Sequence, residues 1–265
     1  MKPGGSIGDD EFIPITEEFI TREQLTEYIK RNNGYNYTRN MLFSEFIIDK
    51  KVADIGCGHG ISSAILSKYA ASIDGFDIDK KAIGYAKNLK RKFKLNNTNF
   101  YWYDLYNTKR PSNSYDVAML GDVIEHVDNP FLLLTETRRI LNKNGILLLS
   151  TPNGMIANGD FRKFHSRYHI MEYTPVELND MLSVAGFRIV DFYSLTNKNR
   201  KNMALRKMAK QMLSKIFGKV PDSVHGISKR MGSINMADDW NINKSSLSSL
   251  TEANCFAIII IASKV

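Results

Sequence analysis

Cysteine is scarce: the chain has two, Cys57 and Cys255, too few to staple a disulfide scaffold, which points to a reducing compartment. Long apolar runs are missing too. The longest, Phe256-Ala257-Ile258-Ile259-Ile260-Ile261-Ala262, has seven residues; a membrane span needs about 20, so this run is expected to be a buried strand. The opening Met1-Lys2-Pro3-Gly4-Gly5-Ser6 lacks the apolar core of a signal peptide, and the chain is expected to be cytoplasmic. Histidine occurs at only five positions, 59, 126, 165, 169 and 225, which narrows the choice of a general base. No internal repeat is visible. What remains is an ordinary globular composition: 265 residues, 43% of them hydrophobic, can bury one full core.

The most informative stretch is Lys51-Val52-Ala53-Asp54-Ile55-Gly56-Cys57-Gly58-His59-Gly60. A short apolar strand carrying an acid turns through three glycines into a helix starting near Ile61, which brings bare backbone against a ligand at the sheet edge. A dinucleotide site wants G-x-G-x-x-G/A, with a pyrophosphate on the helix N-terminus. Here position 61 is Ile and the third glycine comes one residue early. Gly-x-Gly-x-Gly behind an acid instead resembles motif I of the class I S-adenosylmethionine (SAM)-dependent methyltransferases.

The resemblance runs on in order. Ile73-Asp74-Gly75-Phe76-Asp77 is similar to the family's second strand, and Asp77, 17 residues beyond Gly60, is placed to accept both ribose hydroxyls, with Ile78 beside it. Phe100-Tyr101-Trp102-Tyr103-Asp104-Leu105 resembles the third strand and the acid used on the adenine amine. The run from Tyr115 to Val127 is similar to the fourth strand and its E-x-x-E-H-V segment, with Gly121 at the cofactor and Asp122 in place of the usual first Glu. Leu147 to Asn153 resembles the fifth strand. Upstream, Tyr35-Asn36-Tyr37-Thr38-Arg39 is similar to an N-terminal helix segment that closes over SAM in relatives, where an Arg meets the methionine carboxylate. The resemblance thus implies SAM as cofactor, held by Asp54, Gly56, Cys57, Gly58, Gly60, Asp77, Ile78, Asp104, Leu105, Gly121 and Arg39. Cys57 reads as a small loop residue rather than a nucleophile, and Arg39 has a surface charge as its structural alternative.

Strands alternate with helices, the pattern of an α/β doubly wound sheet covered on both faces. Helices are expected at 22–31, 61–70, 80–93, 129–142 and 175–185, with Asp79 as an N-cap, Pro130 in an early turn, and Thr174 with Glu177 as a capping box. The sixth strand is expected at Phe187 to Tyr193 and the seventh in the run ending near Ala262. The resemblance implies a seven-stranded, mostly parallel Rossmann-like sheet in the order 3-2-1-4-5-7-6, strand 7 antiparallel. Residues 1–40 are expected to form an N-terminal helical cap and 41–265 the methyltransferase domain, with a basic amphipathic helical insertion at 196–235.

That insertion carries the charge. Lys198 to Lys219 holds eight basic residues and no acid, matching the whole formal net charge of +8. Leu205, Met208, Ala209, Met212, Leu213 and Ile216 share one helical face. Three readings stand: a helix packed on the core with a solvated face, an interfacial helix on anionic lipid, or a phosphate-binding surface. No aromatic residue interleaves the charges before Phe217, so nucleic acid is the less favoured partner.

Methyl transfer to a hydroxyl needs positioning, exclusion of water and a base. In the resembling fold the ends of strands 4 and 5 face the methyl, which favours His126 and His169, with Asp122 beside them, as catalytic residues. His169-Ile170-Met171-Glu172-Tyr173-Thr174-Pro175-Val176-Glu177-Leu178 resembles the H-x-x-E-Y-T-P-x-E-L segment of glycan and small-molecule methyltransferases. The acceptor is therefore expected to be an oxygen of a small molecule, a sugar or a lipid-linked glycan, with Asp238-Asp239-Trp240 as a rim of its pocket or simple packing. Two alternatives stay open. Asp122, Glu125, His126 and His169 would form a mixed carboxylate and imidazole metal site, as in metal-dependent small-RNA 2′-O-methyltransferases, though this chain lacks their H-x-H run and following Trp. A non-catalytic SAM-binding module is the other.

Overall fold

The computed structural model describes residues 21–156, 168–197, 240–248 and 255–265. Eight strands form one sheet: β1 (Lys51–Ile55), β2 (Ser72–Asp77), β3 (Thr98–Trp102), β4 (Tyr115–Gly121), β5 (Leu141–Pro152), β6 (Phe187–Asn197), β7 (Trp240–Ser245) and β8 (Ala257–Lys264). Their order is β3-β2-β1-β4-β5-β8-β6-β7. The first five are mutually parallel, and β8 lies antiparallel between β5 and β6.

The expected order therefore stands, with the seventh expected strand now β8, and one strand is added. That addition, β7, pairs antiparallel with β6 at the sheet edge. Only Trp240 and Ile242 alternate with asparagines there, too weak a period to read as a strand. Lys244 marks the exposed edge and pairs with Asp191 at 2.5 Å.

Helices α1 (Arg22–Asn32), α2 (Gly34–Ser44), α3 (Ile61–Leu66), α4 (Lys80–Phe93), α5 (Pro130–Ile140) and α6 (Pro175–Val184) surround the sheet. Their starts follow the chemistry of the orphan N–H groups. Asp79 accepts from the amides of Lys81 and Ala82, Asn129 caps α5 ahead of Pro130, and Thr174 with Glu177 closes a full capping box. One expectation needs correction: α3 ends at Leu66 rather than 70. α2 contains the expected helical segment Tyr35–Arg39 and extends it, although a Gly start and Asn36 and Asn40 give it low helix propensity. Tertiary contacts hold it: Arg39, Asn40, Leu42 and Phe43 are all buried. It also runs across residue 40, the expected edge of the N-terminal cap.

Alternate residues of each central strand pack on opposite faces. Ala53, Ile55, Leu147, Leu149, Ile258 and Ile260 meet Leu133 and Leu134 of α5 and Leu178 and Leu182 of α6. Val52, Ile73, Met119, Leu148, Ile259 and Ile261 meet Leu42, Phe43 and Leu66. Burial on both faces is why β8 reads as an unbroken apolar run. None of the described helices is long and apolar enough to cross a membrane. The expected basic helix at 198–219, His165, His225 and Asp238-Asp239 lie outside the described residues.

Candidate functional site at the carboxyl edge of the sheet

The strand order reverses between β1 and β4, and a crevice opens there beyond the carboxyl ends of the parallel strands. The glycine loop fills its floor. Gly60 adopts φ +77° as the N-cap of α3, and a Cβ built on it would stand 2.8 Å from the Phe100 ring and 2.9 Å from Ala86 Cβ. Only glycine satisfies both the turn and the contact. Cys57 is half-buried, and burial pushes its thiol well above its ordinary range, in keeping with a small loop residue.

Asp77 ends β2 and ties the loop down. One carboxylate oxygen accepts from Gly58 N and the other from Asp79 N, each at 2.8 Å. Both oxygens retain a lone pair, so a diol can still be held. Burial raises its pKa, against those two backbone donors. Next to it Ile78, Trp102 and Tyr103 are exposed large apolar side chains, and Trp102 donates to the Ile78 carbonyl at 2.8 Å. These give a flat apolar wall at the ends of β2 and β3. Asp104 is exposed there and accepts from Tyr106 N at 2.9 Å, whereas Leu105 is buried in the core behind the wall.

Asp54 is buried, with Ser63 donating to it at 2.5 Å. Burial pushes its carboxyl from 3.8 up to about 6. Between those values the folded chain holds a proton that the unfolded chain has released, so stability falls as pH rises through this window and is level above it. The full effect is on the order of 3 kcal/mol. Asp54→Asn is therefore expected to raise the urea midpoint at about pH 8 and leave it unchanged at about pH 4, while weakening cofactor binding. Equal shifts at both pH values would contradict this account.

A cavity of about 30 Å³ lies between α2 and the loop, lined by Arg39, Asn40, Asp54, Gly56, Ser62 and Gly121. Arg39 lies flat over Gly121, where a Cβ would come within 3.2 Å of the guanidinium. Its Nη1 pairs with Asp122 at 2.5 Å and its Nη2 donates to Ser62 at 3.2 Å. The Arg39 Nε is buried without a hydrogen-bond partner. An orphaned donor of this kind fits the expected contact with a carboxylate.

Asp122 leaves β4 at φ +57°. Besides Arg39 it accepts from the Tyr35 hydroxyl at 2.6 Å and from Ser150 at 2.9 Å. Its carboxylate is thus committed to holding α2 against the ends of β4 and β5. Tyr35, Trp240 and Phe256 stack edge to face, with ring centroids 5.3–5.6 Å apart, and cover this network. Trp240 sits in this cluster, its indole nitrogen buried and unpaired.

On the far side of Asp122, a short 3-10 turn (Ile124–His126) presents Glu125 and His126. Glu125 is fully buried; one oxygen accepts from Thr151 at 3.0 Å and the other has no partner. Burial, with the Asp122 charge, pushes its carboxyl well above the usual range. His126 Nδ1 lies 3.2 Å from the Tyr168 carbonyl, and its ring stands edge to face with His169, centroids 4.8 Å apart. Glu125, His126 and His169 bring ligand-type atoms within 4.8 Å of one another. Asp122, the fourth member of the expected metal set, is not in that group; its carboxylate pairs with Arg39. Sequence reasoning gave no role to Tyr35 and Ser150, whose contacts with Asp122 join distant positions, nor to Glu172, three positions from His169.

Residues 21–191 match the model of a family described as a methyltransferase domain. A ubiquinone biosynthesis O-methyltransferase from Pelagibacter ubique is 29% identical over 159 residues, covering 60% of this chain and 63% of that protein. A probable S-adenosylmethionine-dependent methyltransferase from Mycolicibacterium smegmatis is 26% identical, covering 54% of this chain and 53% of that protein. The chain thus spans between about half and two thirds of the length of these curated relatives. Among solved structures, a SAM-dependent methyltransferase from Thermotoga maritima, described as a possible histamine N-methyltransferase, superposes with a TM-score of 0.60 at 13% identity, covering 92% of this chain and 95% of that one. That likeness establishes the fold. The sequence match covers more than half of the chain, from α1 through the Asp122 network to β6, and it makes the chain a member of the methyltransferase domain family, with S-adenosylmethionine as the cofactor.

Proposed function

We propose that this protein transfers a methyl group from SAM to an oxygen of a small-molecule, sugar or lipid-linked glycan acceptor. The observation that carries this reading is the His126–His169 pair, which stands beside the crevice after β4 and β5. A hydroxyl acceptor must lose its proton, and Asp122 is already held by Arg39, so the proton falls to an imidazole. The printed name of the Pelagibacter relative, an O-methyltransferase, agrees with an oxygen acceptor.

SAM supplies an electrophilic methyl on a sulfonium. The residues do the rest: Asp77 takes the ribose hydroxyls, the wall of Ile78 and Trp102 receives the adenine with Asp104 on its amine, and Arg39 meets the methionine carboxylate. His169→Ala is expected to lower turnover at least about a hundredfold with SAM affinity unchanged.

The deciding assay incubates the protein with methyl-labelled SAM and host extract, with and without EDTA, and partitions the label. Label in the organic or glycan fraction that survives EDTA is the expected result. A second reading rests on the Glu125, His126 and His169 group and its orphaned Glu125 oxygen: a divalent ion held by two imidazoles and one carboxylate, and an RNA acceptor. EDTA-sensitive label in RNA would favour it; no label in any fraction would favour a SAM-binding module. Residues 198–219 are proposed to touch anionic membrane, which fails if their deletion leaves liposome binding and turnover unchanged.

A further inference from the structure

His169 is backed by a carboxylate. Its Nδ1 stands 2.5 Å from Glu172 Oε1, and the side chains are only 8% and 2% exposed. The turn that carries both is fastened at two points. Ile170 N and Met171 N donate to the Glu125 carbonyl at 2.7 and 3.2 Å, and Gly154 N donates to the Tyr173 carbonyl at 3.0 Å. Gly154 is pressed so close that a Cβ there would stand 2.5 Å from the Glu172 carbonyl oxygen. Immediately beyond, the Thr174–Glu177 capping box fixes the start of α6.

From this geometry we propose that Glu172 is the positioning residue of His169. The inference rests on the hydroxyl-methylating reading above and adds a residue to it. An ionised carboxylate only accepts, so Nδ1 carries the ring proton and Nε2 presents its lone pair to the acceptor. As the acceptor oxygen bonds to the methyl carbon, the carbon–sulfur bond breaks with its electron pair going to sulfur. The hydroxyl proton passes to Nε2, and Glu172 stabilises the imidazolium so formed. Tautomer, orientation and charge compensation are what a carboxylate behind a catalytic imidazole provides. Among the described residues, the other titratable groups beside His169 are His126, edge to face with it, and Glu125.

Glu172→Gln keeps the shape and an acceptor oxygen but removes the charge. Its expected effect is a fall in kcat of about tenfold or more with KM and SAM affinity within about twofold, and an acidic limb of kcat/KM that moves to lower pH by about one unit. The acceptor used is the extract fraction that takes label in the assay above. Nitrogen-15 NMR of the imidazoles follows His169 without any acceptor: its Nδ1–H tautomer should dominate in the wild type. Unchanged kcat and pH limb in Glu172→Gln would overturn the inference and leave hydroxyl methylation standing. Loss of folding in Glu172→Gln leaves the wild-type tautomer as arbiter, and an Nε2–H form would overturn the inference. A wild type that labels no hydroxyl acceptor overturns it together with the reading it rests on, whatever the NMR shows.

Discussion

Gly60→Val is expected to destabilise the fold by about 4 kcal/mol and to abolish SAM binding. Two separate effects add. A β-branched residue at φ +77° is strained by roughly 1–2 kcal/mol, and its Cβ meets the Phe100 ring and Ala86, an overpacking of about 1–3 kcal/mol. Phe100 is buried on β3 and Ala86 on α4, so neither has room to yield. Gly84→Ala on α4 is the control: nothing lies within 4 Å of a Cβ there, and the change should stabilise by about 0.5–1 kcal/mol. Urea denaturation of the two variants measures both signs. A Gly60→Val midpoint near the wild-type value would show that the loop relaxes out of the described turn.

Arg39→Ala should cost about 3 kcal/mol or more. The guanidinium is buried, and its removal leaves Asp122 with an uncompensated charge at a strained backbone position. Tyr35 and Ser150 would still donate to that carboxylate, but hydroxyl hydrogen bonds do not neutralise it. The companion change Asp122→Asn removes the stranded charge. The double variant should therefore be at least about 1 kcal/mol more stable than the sum of the single changes implies, the mark of direct coupling. Strict additivity in denaturant would mean that the pair is solvated and carries no energy. In both single variants SAM affinity should fall, because α2 loses its hold on the ends of β4 and β5.

The parts legible in the sequence were those whose physics is local. Buried parallel strands are apolar runs, and β1, β4 and β5 each show one ending in an acid, a glycine or both, or in Thr-Pro-Asn, whereas β2 (Ser72–Asp77) was legible by its closing acid. Caps at Asp79 and Thr174 follow from short side chains reaching an amide two or three positions on. What escaped was non-local. Nothing near Arg39 in sequence points to Asp122, 83 positions away, and nothing in Trp240-Asn241-Ile242-Asn243 announces an edge strand whose partner lies on β6. α2 is a helix because its neighbours make it one, against the propensity of its own residues. Glu172 stood in plain sight inside a recognisable segment. Only the distance to His169 Nδ1 gave it a role.

The place of β8 has a consequence for how the chain comes off the ribosome. Residues 257–264 are translated after every other described strand, yet they insert between β5 and β6, with seven pairings to one and eight to the other. Until they emerge, β5 has no partner on one side and β6, with β7 beyond it, is not joined to the sheet at all. The parallel half, β3-β2-β1-β4-β5, closes early on short crossovers, while the antiparallel half waits for long-range pairing to residues translated later. A nascent chain stalled at about residue 250 would present two open apolar strand edges to solvent or to a chaperone. The interior seat of β8 thus leaves the described sheet open on β5 until residues 257–264 have been made.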